Sequence, residues 1–239
     1  MKKLVMVAAI AASTFGAVST VSAQESEHTM SANVSMVTDY RFRGVSQTDG
    51  ELALQGGFDY GHSSGLYAGV WNSSIDFQPF FGLDAGGLET DVYLGYAGEA
   101  SGISYDVGLL QYLYTGAEKT DNLDTLELYG SVGAYGFTLG GAYSLSKDYF
   151  GFTDADGSTY AYLNYDYSIT DDLGLALHYG TTSVEGPGNG DADYDDYSIG
   201  LTYAYSGFDL GLTYVDTDIK PKGKNNTDGV LVFSVGKTF

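Results

Sequence analysis

From Ser31 onward, apolar and polar positions alternate with a period of two. That is the side-chain repeat of a β-strand whose two faces meet different surroundings. The alternation is cleanest late in the chain. Leu173, Leu175, Leu177 and Tyr179 interleave with Gly174, Ala176, His178 and Gly180. Tyr197, Ile199, Leu201, Tyr203 and Tyr205 interleave with Ser198, Gly200, Thr202 and Ala204. Phe208, Leu210, Leu212 and Tyr214 interleave with Asp209, Gly211 and Thr213. The second set is small and polar each time. Read this way, the chain predicts strands over 31–43, 51–60, 65–75, 90–98, 101–114, 124–135, 137–146, 158–167, 173–182, 194–205, 208–216 and 228–239.

The connections between these strands are short and long in strict turn. Short ones fall at Gly61–Ser64, Glu99–Ala100, Gly136, Ser168–Asp172 and Ser206–Gly207. Long ones fall at 44–50, 76–89, 115–123, 147–157, 183–193 and 217–227, and Pro79, Pro187 and Pro221 all lie in them. Proline cannot donate to a strand ladder, so its confinement to the long links supports the division. An even number of strands joined in this way predicts an all-β fold: a transmembrane antiparallel β-barrel of about 12 strands, with short periplasmic turns and long extracellular loops. Pairing of the first strand with the last would remove both sheet edges.

Residues 1–23 read as a cleaved secretory signal peptide. Lys2 and Lys3 precede an apolar run from Leu4 to Ala12, and Val21-Ser22-Ala23 supplies small residues for cleavage. The remainder, 24–239, reads as a single barrel domain. Without the leader, eight basic residues stand against 31 acidic ones, a net charge of −23. Such a surface repels phosphate, so nucleic acid is not an expected partner. The chain has no cysteine, which excludes thiolate metal sites and cysteine nucleophiles, and no cofactor is expected. Its 34 glycines and 22 tyrosines suit close-packed barrel interiors and membrane interfaces respectively.

The last strand places Leu231, Phe233, Val235 and the terminal Phe239 on one face, the pattern read by the barrel assembly machinery of outer membranes. Lys237 departs from that pattern; its stem can lie along lipid while the ammonium reaches water. The expected location is therefore a bacterial outer membrane, with its lipids and lipopolysaccharide as partners.

The stretch Asn33-Val34-Ser35-Met36-Val37-Thr38-Asp39-Tyr40-Arg41-Phe42-Arg43-Gly44-Val45-Ser46-Gln47-Thr48 resembles the opening of the TorF family of porins. Ala53–Tyr60, Tyr67–Trp71 and Tyr105–Gly108 look like later strands of that family. The resemblance covers roughly the first half of the mature chain. It implies an outer-membrane porin that admits small solutes by passive diffusion, and it carries no solute with it.

Candidate chemistry is sparse. By parity Asp39, Arg41 and Arg43 share the inward face of the first strand, opposite Tyr40 and Phe42, and Asp59 is inward on the second. These four are the candidate pore constriction. They would either grip an anionic group or brace the barrel as an ion-pair network. The remaining basic residues sit in or beside long loops, apart from Lys237, so cations or small neutral solutes are the expected cargo. Trp71, Tyr93, Tyr112 and Tyr114 are candidate lumen aromatics, whereas Tyr40, Tyr179, Tyr203, Tyr205 and Tyr214 are outward by parity and suit an interfacial girdle.

Acidic positions gather in the long loops. Asp154, Asp156, Asp191 and Asp193 are weak metal candidates, because no calcium-loop spacing accompanies them and a solvated, repulsive charge run explains them better. A second class of function is a closed structural or adhesive barrel that presents these loops. A third is an outer-membrane enzyme built on His178, the one histidine predicted inside a strand.

Overall fold

The computed structural model describes residues 26–76, 86–117, 122–189, 192–220 and 226–239. The predicted leader, Pro79, Lys119, Asp191, Pro221, Lys222 and Lys224 lie outside the described residues.

Among these residues twelve strands close into one antiparallel barrel. They are β1 (His28–Val37), β4 (Ala53–His62), β5 (Leu66–Ser74), β6 (Gly86–Ala100), β7 (Ile103–Gly116), β8 (Thr125–Ala134), β9 (Phe137–Ser144), β10 (Thr159–Ser168), β11 (Leu173–Ser183), β12 (Tyr194–Tyr205), β13 (Phe208–Thr217) and β14 (Val230–Thr238). Each pairs with its neighbour in order, and β1 closes on β14 with Asn33 opposite Thr238 and Val37 opposite Ser234. The backbone N–H of the terminal Phe239 donates to Ala32 O at 2.8 Å, sealing the seam. Two further strands, β2 (Arg41–Phe42) and β3 (Val45–Ser46), form a hairpin of their own.

That hairpin corrects the predicted first strand. The barrel strand ends at Val37, not at residue 43. Asp39 explains the departure. Its carboxylate accepts from Ser46 Oγ at 2.5 Å and Thr48 Oγ1 at 3.2 Å and pairs with Arg41 Nε at 2.5 Å. A short acidic side chain bound to its own loop offers the backbone an alternative to the ladder. Asp39, Arg41 and Arg43 therefore lie on an inserted hairpin, and not on a barrel strand. Tyr40 and Phe42, predicted to face outward, are inside with them. His28 and His62 are likewise in strands, directly paired across β1 and β4, where a lead-in and a turn were expected.

The outer wall carries the apolar positions. Phe58, Leu94, Leu139, Ile199, Leu201, Leu212, Leu231 and Phe233 are all exposed. A continuous apolar belt of this extent is costly in water and matches a hydrocarbon environment. Lys237 also points outward, its ammonium 5.1 and 5.2 Å from the ring centres of Phe208 and Phe239.

The inner wall explains the abundance of glycine and tyrosine. Inward tyrosines are registered against inward glycines of the next strand: Tyr93 on Gly69, Tyr67 on Gly95, Tyr129 on Gly108 and Tyr162 on Gly140. Each ring lies where a methyl group on the glycine would stand. The inner wall is thus lined by rings laid flat along it.

Candidate functional site

The long-loop end of the bore is filled by residues 39–49, folded inward from the end of β1. Two central residues, Arg43 and Gly44, turn the hairpin with φ of 46° and 81°. Positive φ at both centres is the two-residue turn that matches strand twist, and glycine adopts it without steric cost. The space is also closed to a side chain, since a Cβ on Gly44 would lie 2.8 Å from Asp196 Cβ.

From this turn the hairpin reaches most of the surrounding wall. Tyr40 donates its hydroxyl proton to Glu89 Oε1 of β6 at 2.8 Å and packs edge-on against Trp71 of β5. Phe42 packs against Tyr112 of β7, with ring centres 5.5 Å apart. Arg41 Nη1 donates to the carbonyls of Gly44, Asn226 and Asp228, tying the hairpin to the chain ahead of β14. Arg43 crosses the lumen. Its Nη2 donates to both carboxylate oxygens of Glu127 on β8, its Nη1 donates to Tyr149 Oη, and its guanidinium lies 4.3 Å over the ring of Tyr160 on β10. Burial on its own would lower the Arg43 pKa. The Glu127 carboxylate, and behind it Tyr149, outweigh that effect and raise it, so the group stays charged.

A second inward hairpin meets the first. Tyr149 and Phe152 bridge across Phe150 and Gly151, which have φ of 46° and 90°. Phe150 rests on Phe42 and Tyr112 at 5.4 and 4.9 Å. The loop at 147–157, expected to be solvated, therefore places its aromatic tip in the bore, while Lys147 and Asp154 pair at 2.9 Å on its surface.

The other sequence-predicted residues fall as follows. Asp59 is inward on β4 and accepts a hydrogen bond from Tyr93 Oη. Trp71, Tyr93, Tyr112 and Tyr114 all pack within the lumen clusters. Tyr179, Tyr203, Tyr205 and Tyr214 are exposed on the outer wall. Asp193 is held by Ser183 Oγ and the Val184 N–H. Among the described residues, the histidines and carboxylates close enough to share a metal are Glu27, His28 and His62 at the short-turn rim, and not the loop aspartates.

Sequence reasoning passed over an inward acidic series: Glu89, Asp91, Asp106, Glu127 and Asp196, all buried. Parity with the lumen tyrosines would have found it, since Glu89 and Asp91 share the face of Tyr93, and Asp106 the face of Tyr112. Asp196, within the predicted strand 194–205, sits inside, 2.9 Å from His178 Nε2. His178 Nδ1 is 2.6 Å from Asn164 Oδ1, and Tyr160 Oη is 2.8 Å from its Nε2. Both ring nitrogens are engaged, and neither touches Ser198, the residue paired with it on β12.

Below the hairpins the wall changes character. Ser131, Thr138, Ala176, Ser198, Thr202 and Thr213 face inward and stay partly exposed. Among the described residues, no lysine or arginine points inward from a barrel strand. The result is a polar, partly exposed vestibule toward the short-turn end, with the hairpins packed across the other.

Solved structures share this fold. One described as "KdgM porin" superposes with a TM-score of 0.55 at 9% identity, covering 87% of this chain and 98% of that one. A NanC porin structure gives 0.54 at 11% identity, covering 88% and 98%. A third, "KdgM porin in complex with disordered oligogalacturonate", gives 0.53 at 9% identity, covering 88% and 97%. At these identities the likeness is one of fold. No curated protein matches the chain by sequence. A family described as "Bacterial protein of unknown function (Gcw_chp)" matches residues 22–239, nine-tenths of the chain, and the protein belongs to that family.

Proposed function

We propose that the protein is an outer-membrane channel that passes small cations or neutral solutes by diffusion, and that residues 39–49 are its stopper. The observation that carries this reading is the vestibule: small polar residues line a partly exposed bore beneath the inserted hairpin. A purely structural barrel gains nothing from a wetted lumen that a packed apolar core would not supply better. The porin fold and the resemblance of Asn33–Thr48 to the opening of the TorF family point the same way. So does the apolar outer belt, which fits an outer membrane reached through a cleaved leader. The tight turns would then face the periplasm.

Charge argues for the cargo class. Arg41 is paired to Asp39 and Arg43 to Glu127, leaving the other inward carboxylates to set the potential of the bore. A lumen of one sign, walled by low dielectric, concentrates the opposite ion. An acidic saccharide such as the oligogalacturonate of the solved KdgM complex would be repelled here.

The filled outer end favours a second reading, a closed barrel that presents its loops. Single-channel recording across a salt gradient separates the two. Discrete openings with a cation-favouring reversal potential are expected from the refolded chain, with larger conductance once residues 40–48 are replaced by a short Gly-Ser link. Folded barrels that insert but never conduct, with or without the hairpin, would overturn the channel reading. We assign no catalytic residue.

A further inference from the structure

We infer that the lumen holds a hard, oxygen-seeking cation of the calcium class on the carboxylate of Asp91, directly beneath the stopper. Asp91 is fully buried, and neither of its carboxylate oxygens has a hydrogen-bond partner. A buried ionised carboxylate does not stand alone: it is paired, protonated or bound to a metal. The groups around it are engaged elsewhere. Tyr112, registered against Asp91 on β7, donates its hydroxyl proton to Glu127 at 3.1 Å. Tyr93, two positions along β6, is bonded to Asp59. Glu89, two positions the other way on the same inward face, accepts from Tyr40.

What remains is an uncompensated pair of oxygens whose charged neighbours are two more carboxylates, Glu89 and Glu127. With all three ionised, three carboxylates against the single guanidinium of Arg43 leave a deficit of two positive charges, which a divalent ion would supply. The donors are all oxygen, with no imidazole or sulfur, which selects a hard cation over a transition metal. Calcium accepts irregular coordination completed by water, whereas magnesium demands near-ideal octahedral geometry. Glu89, Asp91 and Glu127 do not converge on one point, so Asp91 is the anchoring ligand and water completes the shell, which suits the former. This deepens the channel reading, and rests on it only for the route by which the ion arrives.

The chain carries its own reporter. Trp71 is the single tryptophan, and it is the β5 residue registered directly against Asp91. Adjacent strands stand about 4.8 Å apart, so an ion on Asp91 lies within energy-transfer range of the indole. Terbium, a luminescent stand-in for calcium, is added to the refolded full chain in detergent at neutral pH, with excitation of Trp71. Saturable emission is expected. Calcium should displace it at concentrations at least tenfold below those at which potassium does. Asp91→Asn should weaken it tenfold or more, while Asp154→Asn, on an outer loop, leaves it unchanged. Trp71→Phe should abolish the emission while calorimetry still detects calcium binding.

Heat-modifiable gel migration confirms that each variant is folded. Emission from a folded barrel that is indifferent to Asp91→Asn would overturn the site, as would the absence of saturable emission, which would mark Asp91 as a protonated acid. Conductance measured on the same preparations keeps the two proposals apart. A conducting barrel without Asp91-dependent binding sinks only the site, and a binding barrel that never conducts sinks only the channel.

Discussion

Arg43 Nη2 stands 2.9 and 2.8 Å from the two carboxylate oxygens of Glu127, although the residues are 84 positions apart. Arg43 is at the tip of a hairpin that leaves the barrel at β1. Glu127 is on β8, five strands round the wall. The pair therefore spans the lumen. Arg41 differs, since its partners lie within its own hairpin and in the chain ahead of β14. One arginine braces the hairpin and the other latches it to the far side.

Arg43→Ala should release that latch. Removing one partner of a buried ion pair costs about 3–5 kcal/mol because the other charge is left uncompensated. Glu127→Gln on the same background should restore much of the stability, since it removes the orphaned charge. Chemical unfolding followed by gel migration reads the stability. Bilayer recording should show raised conductance in both the single and the double variant, because neither has the latch.

Gly44→Ala tests the turn rather than the latch. An L-residue in the left-handed region costs about 1–2 kcal/mol, and the new methyl would also press on Asp196 and Thr217. The barrel should stay closed on itself while the hairpin loosens. The expected record is more frequent opening with little change in unfolding midpoint. An unfolding loss as large as that of Arg43→Ala would show instead that the turn holds the wall.

The tyrosine–glycine packing predicts that Gly140→Ala is destabilising although the change is small. The ring of Tyr162 occupies the space a Cβ would take, and overpacking of this kind costs about 1–3 kcal/mol. Tyr162→Leu should relieve it. Comparison of the two single variants with the double gives a coupling that shared wall space requires and independent sites would lack.

Deletion of Phe239 separates assembly from stability. In the folded barrel the residue exchanges two backbone hydrogen bonds with Ala32, at 2.8 and 3.3 Å, and exposes its ring on the outer rim. Each such bond is worth about 1 kcal/mol, a small part of the ladder that closes the barrel, so refolding in detergent should change little. Yield in an outer membrane should fall several-fold if the assembly machinery reads the terminal aromatic. Equal losses in both settings would assign the residue a structural role alone.

The two inward hairpins show where local reading stopped. Phe42-Arg43-Gly44-Val45 and Tyr149-Phe150-Gly151-Phe152 each place a residue and a glycine between aromatic or apolar flanks, which is a hairpin signal. Parity carried the first strand straight through that signal, because residues 38–43 continue the alternation. Both Tyr40 and Phe42 then came out on the wrong side. Where the turn was short and the flanking strands long, as at Ser206-Gly207, the same reasoning placed both strands within a residue or so of their observed limits.

Strand number, their order of connection and the outward apolar face were all determined by the sequence alone. Each follows from a period-two pattern that every strand carries within itself. Tertiary structure alone decided that residues 39–49 turn into the bore, that Arg43 takes Glu127, and that Asp91 is left without a partner. Those outcomes depend on which strands face one another across a closed lumen. Local periodicity tells a side chain to point inward, but only closure of the barrel determines what it meets there.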